Sequence, residues 1–199
     1  MDHPAVEFFW DPVSPYTYLA STQIEALAAR SSARLVWKPF LIGKVFEATG
    51  NRAPITVPAK GAHLLVDLQR WARHYGVPLT MPKTFPMSTV LALRCAVAAA
   101  EQYEAAPFAR ALMRAYWAEG LDISLPETLA ALAAKAGMDG EALLARAGEQ
   151  PIKDLLRANT EEAARRGAFG APTFFVGTEM FWGNDRLRLL EDHLESYAG

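Results

Sequence analysis

Cysteine is nearly absent from this chain of 199 residues, with Cys95 standing alone. A single thiol excludes an internal disulfide and any zinc site built on several cysteines. The four histidines, His3, His63, His74 and His193, show no metal-ligand spacing, so no metal is expected. Charge of one sign is lacking as well. A formal net charge of -2 speaks against a nucleic-acid partner or an anionic membrane surface. No apolar run is long enough to span a bilayer. Met1-Asp2-His3-Pro4 lacks the basic region and apolar run of a secretion signal. There is no Ser-His-Asp signature, phosphate loop or dinucleotide fingerprint. These features fit the expectation of a soluble cytoplasmic protein, and its composition, 51% hydrophobic, is enough to bury a full core. Cys95 falls in an apolar helical run and reads as a small buried hydrophobe.

The order of patterns along the chain is more informative. Residues 5–11 are apolar and aromatic and read as a buried strand. From Pro15, the residues Tyr16, Leu19, Ala20, Ile24, Leu27 and Ala28 recur at helical spacing and predict one amphipathic helix. Arg34 to Phe40 reads as a second strand, and Pro39 places it at an edge or an end. Strand, helix, strand is a crossover unit with parallel strands. Residues 46–60 hold Gly50, Pro54 and Pro58 and read as an irregular connection. From 61 to 167 the pattern is helical and alanine-rich. Gly76 and Gly137 close two of its helices, and Ser124-Leu125-Pro126-Glu127 reads as a capping box. Strand character returns at Thr173–Val176 and Glu179–Trp182, around the turn Gly177-Thr178, and a last helix follows from Asn184. The expectation is an α/β protein: a thioredoxin-like fold with a large all-helical insertion between its β-α-β and β-β-α halves. Residues 1–45 and 168–199 would form the thioredoxin-like domain and 61–167 the insertion.

Such a fold commonly carries Cys-x-x-Cys after its first strand; here the quartet is Ser14-Pro15-Tyr16-Thr17. With Ser14 and Thr17 in both sulfur positions, thiol–disulfide exchange within the chain is excluded. Ser14 at a strand-to-helix junction is an ordinary N-cap before a helical Pro. Read together with the downstream Pro172, it is also a hydroxyl donor placed where the fold favours an anion, able to hold a thiolate supplied from outside. A charge-assisted hydrogen bond contributes roughly 1.5–3 kcal/mol, enough to lower a thiol's pKa by about one or two units. Glutathione is the natural supplier. Pro172 opens a strand and would offer the backbone of Ala171 to an extended peptide. At Trp182-Gly183-Asn184-Asp185-Arg186 a second strand-to-helix junction pairs an acid for an ammonium with an arginine for a carboxylate. Lys60 and Asn51 are weaker candidates, being by default a solvated lysine and a turn residue.

Four stretches together resemble the 2-hydroxychromene-2-carboxylate isomerase family, near the kappa class of glutathione transferases within the wider DsbA-like group. They are Asp11-Pro12-Val13-Ser14-Pro15-Tyr16, Gly50-Asn51-Arg52-Ala53-Pro54 with Lys60-Gly61, Asp67-Leu68-Gln69-Arg70-Trp71, and Phe169-Gly170-Ala171-Pro172 with Trp182-Gly183-Asn184-Asp185-Arg186. The resemblance implies that Ser14 hydrogen-bonds the sulfur of glutathione and that Ala171, before Pro172, pairs with its cysteinyl part. It implies that Trp182, Gly183, Asn184 and Asp185 hold the γ-glutamyl end, and that Asn51 and Lys60 also contact glutathione. Phe85 falls where the isomerases place a tyrosine near the aromatic substrate, so that hydroxyl is missing here. Lys44 is the candidate for the substrate carboxylate, and Trp10, Phe85 and Trp117 for an aromatic pocket. A homodimer is implied as well.

Three functions are compatible with this reading. The first is a glutathione-dependent cis–trans isomerase acting on an aromatic keto acid. The second is a kappa-like transferase that consumes glutathione by conjugation. The third is a non-catalytic peptide-binding module on the same fold, because fold alone does not choose among them.

Overall fold

A computed structural model describes residues 3–197. Strand β1 (Ala5–Trp10) runs through the middle of a four-stranded sheet of order β2-β1-β3-β4. Its parallel neighbour is β2 (Arg34–Pro39), and on its other side lies antiparallel β3 (Thr173–Val176), which pairs with β4 (Glu179–Trp182). A central strand is covered on both faces, so its apolar residues form a nearly continuous run. Phe8 lies in one core with Phe174 and Val6, whereas Phe9 lies in a second with Phe40 and Phe175. Each buried Phe stabilises the fold by about 1.5–3 kcal/mol. Pro39 ends edge strand β2, where its missing donor breaks no ladder bond. Gly177 sits at φ 59° in the two-residue turn joining β3 to β4, a conformation that favours glycine.

The expected single helix after Ser14 is two helices, α1 (Pro15–Ser21) and α2 (Ile24–Arg30). Ser21 and Thr22 donate their hydroxyls to the carbonyls of Tyr18 and Leu19, both at 2.7 Å. Such local bonds compete with the helical ladder and end it there. The irregular connection expected over 46–60 is also corrected. Helix α3 (Ile42–Thr49) runs into it and stops at Gly50 in the left-handed region, a single 3-10 turn follows at Pro54–Thr56, and α4 (Pro58–Tyr75) begins at its Pro. The capping box at Ser124 does not form. The Asp122 carboxylate accepts both the N–H and the hydroxyl of Ser124, and α7 (Pro126–Lys135) starts from Leu125 instead.

Helices α5 (Val90–Gln102), α6 (Ala105–Trp117), α8 (Gly140–Ala147) and α9 (Gln150–Arg165) complete the helical block, and α10 (Leu187–Glu195) closes the chain after a short turn at Asn184–Arg186. One buried cluster runs from Val6, Phe8 and Trp10 of the sheet into Leu93, Leu112 and Leu129 of these helices. Cys95 is buried in it, with its thiol pushed up to about 12 by burial. On the opposite face Glu7, Lys38, Glu162 and Arg166 form a closed charge quartet. Burial opposes ionisation of Glu7, but Lys38 and Arg166 outweigh it and hold its pKa below the usual value.

Candidate active site

The turn after β1 is built by an acid, two prolines and a serine. Ser14 is the N-cap of α1, and its Oγ accepts the Thr17 N–H at 3.3 Å. The same hydroxyl donates across the fold to the carbonyl of Ala171 at 2.8 Å. Thus residues 157 apart in sequence meet at one hydrogen bond. The Ala171–Pro172 peptide bond is cis. Among the described residues no backbone group accepts the Ala171 N–H.

Ser14 opens onto a cavity of about 940 Å³. This is near the upper end of the usual range for small-molecule sites. Of the residues singled out from the sequence, the cavity brings together Ser14, Lys44, Asn51, Lys60, Phe85, Ala171 and Trp182. It does not include Pro172, Gly183, Asn184 or Asp185 in its wall. Pro172 accepts the Gly183 N–H at 3.0 Å and so carries β3 across to β4. Asn184 is buried, its amide directed at the Tyr75 hydroxyl at 3.5 Å. Asp185 is exposed and paired with Arg186 at 2.5 Å, so the acid and the arginine of this junction neutralise each other. A Cβ on Gly170 would run into the Trp182 indole, which lies at the rim against Phe169.

Lys44 faces the cavity but is paired with Glu47 at 2.7 Å. Lys60 and Arg52 line it without an acidic partner among the described residues. Asn51 ties its loop to the segment before Ala171 by donating to the Phe169 carbonyl at 2.7 Å. The expected wall of three aromatic rings is corrected: only Phe85 reaches the cavity. Trp10 is buried against Trp37, and Trp117 lies behind Phe85 at 5.4 Å between ring centres. The indole of Trp117 donates to the Pro12 carbonyl at 2.7 Å, so it braces the serine turn from behind.

Two carboxylates of the singled-out stretches have places that no local pattern discloses. Asp67 of α4 accepts the Tyr16 hydroxyl at 2.9 Å, and burial together with this anion raises the Tyr16 pKa. Asp11 is fully buried and lines the cavity. Burial pushes its pKa up to about 6, against the opposing pull of hydrogen bonds from Val13, Ile42 and Thr89. The only sequence signal for it is an acid placed directly between an apolar strand and a Pro.

The folded Asp11 binds a proton more tightly than the unfolded one, about 6 against 3.8. Its contribution is therefore most favourable below the unfolded value and is lost as pH rises through the folded one. Across that window the change is about 3 kcal/mol. Glu7 acts in the opposite sense, contributing above its unfolded value and losing that contribution at lower pH. In urea unfolding at a series of pH values, wild type should therefore lose stability relative to Asp11→Asn between about pH 4 and about pH 7. Parallel profiles for the two proteins would refute the buried titration.

Residues 5–195 match the DSBA-like thioredoxin domain. The chain belongs to this family and, within it, to the 2-hydroxychromene-2-carboxylate isomerases, and it is an enzyme. The isomerase of that name from Sphingobium xenophagum is 35% identical, over 95% of this chain and 97% of the relative. A solved 2-hydroxychromene-2-carboxylate isomerase superposes with a TM-score of 0.89 at 30% identity, covering 98% of this chain and 96% of the other. Glutathione S-transferase kappa 1 from Homo sapiens is 33% identical, over 93% of this chain and 88% of the relative. No helix among the described residues is long and apolar enough to cross a membrane, and no group of three or more His, Cys, Asp or Glu is placed to hold a metal ion.

Proposed function

We propose that the Ser14 cavity binds glutathione and uses it as a cofactor to interconvert the cis and trans forms of an aromatic keto acid, with 2-hydroxychromene-2-carboxylate as the first candidate. The observation that carries this reading is the Ser14 hydroxyl, meeting the Ala171 carbonyl inside a cavity whose wall also holds Lys60 and Arg52 without acidic partners. These groups suit a small peptide thiol. The Ala171 N–H and carbonyl match an extended backbone, and the two cations match a terminal carboxylate. Glutathione, when bound, supplies a thiolate that adds reversibly to the conjugated carbon of the substrate, giving a single bond that can turn before the thiolate leaves.

The chain's own residues do the rest. The Ser14 hydroxyl has one proton, which it donates to Ala171 in the free protein. An ionised sulfur is a stronger acceptor than a carbonyl, so the hydroxyl turns to it. Ala171 is then left to pair with the ligand's backbone. Lys60 and Asn51 hold one end of the tripeptide, and the Trp182–Asp185 junction the other, once the Asp185–Arg186 pair opens. Phe85 and Phe46 offer apolar surface to the aromatic ring, and Lys44 turns from Glu47 to the substrate carboxylate. With no phenolic hydroxyl at Phe85, substrate orientation rests on packing and on that lysine.

The test is turnover of 2-hydroxychromene-2-carboxylate, followed together with the amount of free glutathione. An isomerase reaches the cis–trans equilibrium with glutathione undiminished and needed only in catalytic amount. The kinship with a kappa transferase favours one competing reading, in which glutathione falls in step with the substrate. No reaction with any aromatic keto acid, and no glutathione binding, would overturn both.

A further inference from the structure

The mechanism above does not use Asp11, although no acid in the cavity wall is more deeply buried. Its carboxylate gathers three separate pieces of chain. One oxygen accepts the Val13 N–H at 3.0 Å and the Thr89 hydroxyl at 2.9 Å. The other accepts the Ile42 N–H at 3.1 Å. These partners belong to the serine turn, to the first residue of α3 and to the N-cap of α5. The same three pieces supply Ser14, Lys44 and Phe85 to the cavity wall. Thus a single carboxylate sets the spacing between the sulfur position, the candidate substrate lysine and the aromatic contact.

Among the described residues no cation is paired with this carboxylate. The titratable group of α6 whose ionisation feels it is Tyr116. The other ionisable groups in the cavity wall are Tyr16, Lys44, Glu47, Arg52 and Lys60, of which Tyr16 donates to Asp67 and Lys44 pairs with Glu47. Arg52 and Lys60 attract an anion into the cavity, but neither is paired with Asp11, so a second negative charge there also meets a buried carboxylate, and like charges at one site oppose each other's ionisation. Protonation of Asp11 removes that opposition at little structural cost. Two of its three partners are N–H groups that can only donate, but the Thr89 hydroxyl can reverse and accept.

We propose that Asp11 is the positioning residue of the Ser14 cavity and that its charge state governs how readily the cavity accepts a negatively charged sulfur group. The inference rests on the glutathione reading above. Asp11 acts by holding the three wall segments and by setting the local charge.

The experiment compares two ligands of the same shape class, glutathione sulfonate, which carries a permanent charge at sulfur, and S-methylglutathione, which carries none. Their affinities are measured by calorimetry from about pH 8 to about pH 5, and the ratio cancels titrations common to both. In wild type the ratio should shift toward the sulfonate by about tenfold as Asp11 takes up its proton. In Asp11→Asn it should favour the sulfonate at every pH and be flat. Thr89→Val keeps the carboxylate but deletes one hydrogen bond to its charged form, so the midpoint of the profile should move to higher pH. A purely structural Asp11 would weaken both ligands together and leave the ratio unmoved. A flat ratio in wild type, or a wild-type profile that survives in Asp11→Asn, overturns the inference while leaving glutathione binding intact. Binding of neither ligand to wild type overturns the glutathione reading itself, and this inference with it.

Discussion

Ser14→Ala should abolish the thiolate absorbance of bound glutathione at neutral pH and lower turnover by about ten- to 150-fold. The magnitude follows from the loss of one hydrogen bond to a charged acceptor, roughly 1.5–3 kcal/mol. Tripeptide affinity should change much less, because Ala171, Asn51 and Lys60 do not depend on the hydroxyl. Two smaller effects accompany the loss. The Ala171 carbonyl loses the donor it has in the free protein, and the Thr17 N–H loses its cap acceptor. Loss of an N-cap side chain costs about 1 kcal/mol, so the variant should still fold. An ultraviolet titration with glutathione and a steady-state assay on the same preparations separate binding from activation. An undiminished thiolate band in Ser14→Ala would end the assignment of Ser14 as the sulfur's partner.

Trp117→Ala should be the most destabilising substitution near the site, at about 3–5 kcal/mol, the usual range for deleting a fully buried large aromatic ring. Three contacts disappear at once. The indole N–H no longer reaches Pro12, the ring no longer backs Phe85 at 5.4 Å, and it no longer packs on Tyr116 at 4.9 Å. Tyr116 itself donates to the Thr84 carbonyl at 2.8 Å. The end of α6 therefore buttresses both the serine turn and the segment carrying Phe85. Trp117→Phe separates the terms: most of the volume stays, and the unsatisfied Pro12 carbonyl alone costs about 1–3 kcal/mol. Trp117→Ala should raise KM for an aromatic substrate more than that for glutathione, because Phe85 loses its backing and Ala171 does not. A urea midpoint for Trp117→Ala within error of wild type would show that the ring is not a support.

Where contacts are local, the sequence specifies the outcome. The apolar run of β1, the Gly-Thr turn after β3, and the glycines that stop α4 and α7 each act within a few residues, and the structure places them as expected. The structure departs from the local pattern where a side chain has two neighbours to choose between. Ser21 and Thr22 took carbonyls of their own helix, and Ser124 took Asp122 rather than a helix N-terminus. Composition does not separate these outcomes, since each residue can cap, break or continue a helix by a small free-energy difference.

The site divides along the same line. Ser14 could be picked out because its chemistry depends on a strand, a turn and a helix that follow one another directly, and because both sulfur positions of the quartet are hydroxyls. That a hydroxyl at this place excludes internal disulfide chemistry is a property of the sequence alone. Its hydrogen bond to Ala171 comes only from the pairing of β1 with β3; the resemblance implied no more than a shared ligand for the two residues. Asp11 is the opposite case. Its partners Ile42 and Thr89 lie 31 and 78 residues away, and no periodicity connects them. Trp10 and Trp117, aromatic and near in expectation, were drawn into the core, because a ring's destination depends on which faces the helices cover. Sequence thus determined the fold class, the parallel β-α-β unit, the closing hairpin and the place of the candidate serine, all of which follow from the order of local patterns. Only tertiary structure decided which charges are buried together, which rings face the cavity and which acid holds its walls, because those outcomes depend on desolvation and packing between segments that meet only once the chain has folded.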